Sequence, residues 1–327
     1  MKNANGLILG NKMEKHDLQQ VIDRCGRDYV AKRLQIQVEH SAQVLGPGLG
    51  GFHFENLEWA LDAFGWFIKL FRVWSKGFSN IKDHKIIFNR VAVKNLPEAL
   101  NGFKILHLSD LHLDVFEGMG VHVGRLCSTL NCDVALITGD YRFHTHGNYY
   151  PVFREIESLT KSLDCKYGNF GILGNHDFLE FVPKLEAHGI RMLLNESVCI
   201  EKDGGKVCII GLDDAHFYGL HDYEKGFAEV PDGAAKVLMI HSPETLEQAR
   251  DHGVDFVVTG HTHGGQMCLP GGRPVWLNAN CKRKYCKGPW NYKGMPGYTS
   301  LGTGSSGLPL RFNCPPEITL HYLVSGA

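Results

Sequence analysis

A chain of 327 residues with 43% hydrophobic residues is long enough for one large core plus an accessory segment, and its formal net charge of −1 gives no overall electrostatic case for a nucleic-acid partner. Ten cysteines in so long a chain lack the density of a disulfide scaffold, and Leu7-Ile8-Leu9 is too short an apolar run for a secretory signal. The expected setting is therefore a reducing cytoplasm, with peripheral attachment to the inner face of a membrane as the alternative.

Residues 1–50 are polar and end in the break Gly46-Pro47-Gly48-Leu49-Gly50-Gly51. A helix is expected from Asp17 to about Ala42. Residues 56–76 follow, with Leu57, Trp59, Leu61, Phe64, Trp66, Phe67, Ile68, Leu70, Phe71, Val73 and Trp74 around a stripe of Glu58, Asp62, Lys69, Arg72 and Lys76. That apolar face is wider than a surface helix needs, and its charges argue against a spanning helix. Two readings stay open: packing against the main domain or a second subunit, or an in-plane membrane helix with interfacial tryptophans. The domain division expected is 1–80 for this helical extension and 81–327 for the remainder.

From Ile86 onward strands and helices alternate. Phe88 to Val93 reads as an edge strand, and helical patterns near Val121–Leu130, Pro151–Ser162 and Leu179–His188 separate later strands. Ile190–Leu212 reads as an antiparallel pair turning at Asp203-Gly204-Gly205. Tyr298–Gly304 and Ile318–Val324 supply the last strands. The fold class expected is a mixed, two-sheet α/β sandwich.

Five apolar runs end in residues of metal-ligand type. Phe103–Leu108 leads to Asp110 and His112, Val134–Ile137 to Asp140, and Phe170–Leu173 to Asn175, His176 and Asp177. Val237–Ile240 leads to His241, and Phe256–Thr259 to His261 and His263. Ligands gather at the carboxyl ends of strands in open α/β sheets, so these side chains can meet in one crevice. Asp110, His112, Asp140, Asn175, His241, His261 and His263 are too many donors for one tetrahedral ion and suit two ions sharing a bridging group. The set contains no cysteine, which points to manganese, iron, zinc or magnesium, manganese being favoured. Cys268, Cys281, Cys286 and Cys314 lack C-x2-C pairing and read as reduced thiols rather than a structural zinc site.

Asp110-x-His112, Gly139-Asp140, Gly174-Asn175-His176-Asp177, His241 and Gly260-His261-Thr262-His263 together resemble the motif set of the calcineurin-like metallophosphoesterases, in order and spacing across roughly residues 100–265. The resemblance implies a four-layer αββα sandwich of two mixed sheets. It also implies roles: one ion on Asp110, His112 and His263, another on Asn175, His241 and His261, with Asp140 bridging and a bridging hydroxide as nucleophile. His176 would protonate the leaving oxygen or stabilise charge on the phosphate. Asp177 reads equally as a carboxylate orienting a neighbouring imidazole or as a helix N-cap. Gly260–Gln266, Gly302–Arg311 and Pro316-Glu317-Ile318 are similar to a narrower bacterial branch of membrane-associated phosphodiesterases and UDP-diacylglucosamine pyrophosphohydrolases.

Substrate contacts are expected from Arg142, directly after the bridging aspartate, and from Arg311 beside a Gly-rich loop whose amides suit a phosphate oxygen. Lys282, Arg283 and Lys284, interleaved with Trp276, Tyr285, Trp290 and Tyr292, suit an anionic headgroup or a base, with a solvated loop as the alternative. The reaction expected is hydrolysis of a phosphodiester or pyrophosphate bond, in a lipid-linked substrate or, alternatively, in a nucleotide by a soluble enzyme. A non-catalytic metal-binding scaffold is the competing class, and no lost ligand signals it. The natural substrate and the oligomeric state are not legible.

Overall fold

The computed structural model of the chain describes residues 13–45, 73–94, 96–144 and 148–326. Most of the apolar segment at 56–76, and with it the choice between its two readings, lies outside the described residues. Two helices stand where the sequence suggests one: α1 (Lys15–Cys25) and α2 (Arg27–Leu45). Gly26 separates them with a φ of 93°, a backbone state that glycine adopts at little cost. α3 (Trp74–Asn80) packs Trp74 and Phe78 against Leu308 and Leu310.

The first sheet contains β1 (Lys85–Val93), β2 (Phe103–Leu108), β3 (Val134–Ile137), β4 (Asn169–Gly171), β5 (Ile190–Met192) and β14 (Glu317–Ser325), in the order β1-β14-β2-β3-β4-β5. β14 runs antiparallel to β2, while the remaining pairs are parallel. The second contains β6 (Glu196–Lys202), β7 (Gly205–Gly211), β8 (Ala235–Met239), β9 (Phe256–Thr259), β12 (Gly288–Tyr292) and β13 (Met295–Thr299), ordered β12-β13-β9-β8-β7-β6. Its outer pairs are antiparallel and its inner ones parallel. A two-stranded hairpin, β10 (Cys268–Leu269) with β11 (Arg273–Pro274), stands apart.

Neighbouring residues of β2 enter different cores. Ile105 joins Leu136, Val237, Phe256 and Val258 between the sheets. Leu106 joins the outer layer with α4 (Met119–Cys127), α5 (Tyr150–Thr160) and α6 (Phe181–Ala187), through Met119, Val123, Val152, Ile156 and Leu185. Burial on both faces explains why the central strands read as continuous apolar runs rather than alternating ones. The second sheet's outer face is covered by α7 (Tyr223–Phe227) and α8 (Leu246–Asp251), through Tyr223, Leu246 and Ala249. Helices on both outer faces of two mixed sheets make the four-layer sandwich. Val21, Cys25 and Val30 place α1 and α2 in the same core cluster as β2.

The β6–β7 turn falls at Asp203 and Gly204, both at positive φ, as a two-residue hairpin turn of this type requires. Two disulfides form among cysteines to which the sequence reading gave no role. Cys199 and Cys208 face each other across that hairpin and form a disulfide, and Cys132 pairs with Cys165 where the chain enters β3 and β4. Strand pairing brings each pair within bonding distance, which residue counts and spacings along the chain do not show. Cys268, Cys281, Cys286 and Cys314 are free thiols, in line with the reading of the C-terminal cysteines. Among the described residues no helix is long and apolar enough to cross a membrane.

Candidate metal centre

The loops leaving β2, β3, β4, β8 and β9 converge at one end of the two sheets. Their tightness shows in the backbone: Asp110, His112, Asp140, His261 and His263 all have positive φ, between 40° and 68°. Each such residue costs on the order of 1 kcal/mol, and clustering of this strain marks functional loops. Backbone bonds hold the loops in place, Asp110 N–H donating to Gly139 O at 3.0 Å and His112 N–H to Asp140 O at 2.9 Å. Glycine is required where they touch: a β-carbon on Gly174 would collide with Asp140, and one on Gly260 with Ser109 and Asp110.

Two donor groups result, Asp110–His112–His263 and Asp140–His241–His261, all buried, with each group's ligand atoms within 4.8 Å of one another. Asn175 joins the second, its Oδ1 lying 2.9 Å from His261 Nδ1 and 3.0 Å from His241 Nε2. Asp140 Oδ2 stands between the groups, 3.4 Å from His241 Nε2 and 3.8 Å from His112 Nε2. Ring orientation is set from behind, because His112 Nδ1 faces the Arg142 carbonyl at 2.6 Å and His241 Nδ1 faces the Thr138 carbonyl at 2.7 Å. Such backing leaves each Nε2 lone pair aimed inward.

Electrostatics fit the same purpose. Burial drives His112 down to about 3 and His261 and His263 well below the usual imidazole range, so these rings are neutral donors. Burial pushes the Asp110 carboxyl up to about 6, with Asp140 adding to the effect. Burial also opposes ionisation of Asp140, but His241 and then His176 hold that carboxyl well below its usual range. Burial disfavours the charged form of His241, but Asp140, Asp110 and Asp214 together lift it well above the ordinary imidazole value. A divalent cation held there would take the place of that proton. The donors fit divalent ions. His112 Nε2 and His263 Nε2 lie 3.2 Å apart, and His261 Nε2 is buried without a hydrogen-bond partner.

His176 stands beside both groups. Its Nδ1 faces the Phe143 carbonyl at 2.9 Å, and its Nε2 lies 4.0 Å from Asp140 Oδ2 and 3.5 Å from Ser306 Oγ. Asp177 takes neither role suggested by the sequence. Its carboxylate accepts the N–H groups of Asp140, Tyr141 and Gly174 at 2.7–2.9 Å, tying two ligand loops together.

The expected contact of Arg311 with substrate is corrected. Arg311 is wholly buried and donates to the carbonyls of Gly304, Leu301 and Cys314, while its Nη2 lies 3.2 Å from His263 Nδ1. The Gly-rich loop is likewise engaged with the protein: Thr303 and Gly304 N–H donate to Ser109 and Asp110 carbonyls. Its packing, which short-range sequence does not reveal, makes it a backing for Asp110 and His263. Arg142 is buried beside the rings of Phe178, Tyr149 and Phe181, and gives the site its carbonyl. Lys282, Arg283 and Lys284 are exposed on a loop whose Cys286 carbonyl accepts from Thr262 Oγ1 at 2.5 Å, between two ligand histidines. Sequence reasoning missed His216, whose ring is tilted against that of His261 with centroids 4.2 Å apart and whose Nδ1 lies 2.7 Å from Glu244. No spacing signal marks it.

A model of the family described as calcineurin-like phosphoesterase matches residues 103–265. The chain is 28% identical to the uncharacterised metallophosphoesterase YkuE of Bacillus subtilis, over 75% of this chain and 88% of that one. It is 28% identical to the phosphodiesterase YaeI of Escherichia coli, over 68% and 82%. A transmembrane protein with a metallophosphoesterase domain from Danio rerio is 27% identical over 72% of this chain and 56% of its own length. With its motifs gathered into two donor groups between mixed sheets, the chain carries a calcineurin-like metallophosphoesterase domain and is a metal-dependent phosphoesterase.

Proposed function

We propose that the chain hydrolyses phosphodiester or pyrophosphate bonds with two divalent ions, on an anionic, lipid-linked substrate. The observation that carries the two-ion reading is the pair of donor groups flanking one carboxylate, Asp140. Asp110, His112 and His263 would hold one ion, and His241, His261 and Asn175 the other, with Asp140 between them. Such a pair would supply a nucleophilic hydroxide at neutral pH and polarise the phosphoryl oxygens; manganese is the first ion to try.

The chain's own residues supply the rest. Asn175 and His176 face the reacting phosphoryl group and stabilise the charge that develops on its equatorial oxygens. His176 Nε2, directed toward Asp140 and Ser306, carries the proton to the leaving oxygen. Asp177 keeps Asp140 and Asn175 in register through backbone N–H groups, so little rearrangement accompanies the reaction.

Support for a lipid-linked substrate comes from the rim. Between Asp255 and Glu317 the sequence contains no acidic residue, and six of its Lys and Arg residues are exposed. Leu269, Val275 and Trp276 on and after the β10–β11 hairpin are 56%, 64% and 55% exposed. Apolar side chains beside a basic loop suit an acyl chain joined to a phosphate headgroup. Membrane contact through residues 56–76 belongs to the same reading. A hydrolysis panel with added Mn(II) tests it: bis-p-nitrophenyl phosphate, p-nitrophenyl phosphate and UDP-2,3-diacylglucosamine. Preference for the lipid nucleotide is expected. Turnover of the generic diester alone defeats the lipid-linked part, and inertness toward all three defeats the whole.

A further inference from the structure

We propose that α2, outside the residues matched by the family model, is a positioning element of the metal centre acting through Arg33. This inference rests on the two-ion reading above. Arg33 is fully buried at the base of the loop that carries Asn175 and His176. Its Nη1 donates to Asp213 Oδ1 at 2.5 Å and its Nη2 to the Asp177 carbonyl at 3.1 Å. The guanidinium lies flat on Tyr218, 3.7 Å from the ring centroid, and Tyr29 OH holds the other Asp213 oxygen at 2.6 Å. One turn further along α2, Gln37 Oε1 accepts the Leu179 N–H at 2.8 Å and Gln37 Nε2 donates to Glu180 at 3.0 Å. The helix therefore grips residues 177–180 immediately after Asn175 and His176.

The route to the ligands is short. The Asp177 residue held by Arg33 is the one whose carboxylate accepts from Asp140, Tyr141 and Gly174 N–H groups. One residue thus separates the guanidinium from the backbone of the bridging aspartate and of the loop holding Asn175. Attachment alone does not need this arrangement, because a buried ion pair seldom outperforms apolar packing in stability. Simple attachment is visible beside the Gly26 break. There Arg24, partly exposed, pairs with Glu186, Glu196 and the Met192 carbonyl, none of them a metal-ligand residue. Arg24 fastens α1, whereas Arg33 sets the loop.

The test compares Arg33→Met, Arg33→Lys and the control Arg24→Met in the full chain. It reads kcat and KM on bis-p-nitrophenyl phosphate, Mn(II) binding by titration calorimetry, and Tm. Loss of an outer partner of a metal site costs about 10-fold in activity or affinity. Arg33→Met is expected to lower kcat about 10-fold at nearly constant KM and to weaken one of the Mn(II) binding events about 10-fold. Arg33→Lys keeps a charge for Asp213 but lacks the flat fork, so it gives a smaller loss of the same kind and serves if the Met variant does not fold. Arg24→Met should lower Tm while leaving kcat and Mn(II) binding intact. The proposal is overturned if an Arg33 variant that folds keeps kcat and Mn(II) binding, or if Arg24→Met reduces them equally. An inactive wild type that binds no Mn(II) sinks the two-ion reading instead.

Discussion

Replacing Arg311 separates a substrate contact from a structural one. In Arg311→Met the side chain retains much of its volume, but the carbonyls of Gly304, Leu301 and Cys314 lose their donor inside the protein. A buried polar group left without a partner costs about 1–3 kcal/mol. Three of them amount to roughly 3 kcal/mol or more, a large share of a typical stability of about 5–15 kcal/mol. The loss should appear in urea denaturation as a lower midpoint with an unchanged slope. Because Gly304 N–H supports Asp110 and Arg311 Nη2 adjoins His263, Mn(II) affinity should fall as well. KM for a phosphodiester should change little in the protein that remains folded. Stability within about 1 kcal/mol of wild type, together with a tenfold higher KM, would refute the reasoning and return Arg311 to the substrate.

Removing the proton carrier in His176→Ala is expected to lower kcat on bis-p-nitrophenyl phosphate about 100-fold or more while Mn(II) content stays at the wild-type level; unchanged kcat rejects the role. Triple replacement of Lys282, Arg283 and Lys284 by Ala should raise KM for the lipid nucleotide and leave the generic diester untouched, and equal kinetics on both defeats the headgroup contact. Burial depresses His107 to about 3, so between the unfolded imidazole's value and that one the unfolded chain binds more protons and stability falls as the pH is lowered. Metal-free protein is expected to lose roughly 2 kcal/mol through this residue between about pH 7 and pH 5, measured by urea denaturation, with a shallower loss in His107→Gln. An identical pH slope in wild type and variant contradicts that assignment.

The convergence of these donors was legible because each follows a short, doubly buried strand, and Asp140, Asn175, His261 and His263 each sit beside a glycine. Gly174 and Gly260 let the loops touch, and both stand next to their ligands in the sequence. Side-chain direction was not legible. Arg311 and Arg142 look in sequence like phosphate contacts, yet each is buried and supports a ligand histidine from the protein side. Asp177 escaped for a related reason, since its partners are backbone N–H groups of two separate loops. The disulfides depend on strand register, and His216 reaches His261 from a turn 45 positions earlier in the chain, so neither leaves a local pattern. Gly26 was overlooked as a helix break because periodicity continues on both sides of it.

The most direct test of a shared two-ion centre is metal stoichiometry, read with hydrolysis, in wild type and Asp140→Asn. Wild type should bind two Mn(II) ions per chain and cleave bis-p-nitrophenyl phosphate only when loaded. Asp140→Asn should lose tight binding of at least one ion together with about 100-fold or more in kcat. A wild type that is fully active with one ion, or an Asp140→Asn variant that keeps both ions and full turnover, would contradict the account.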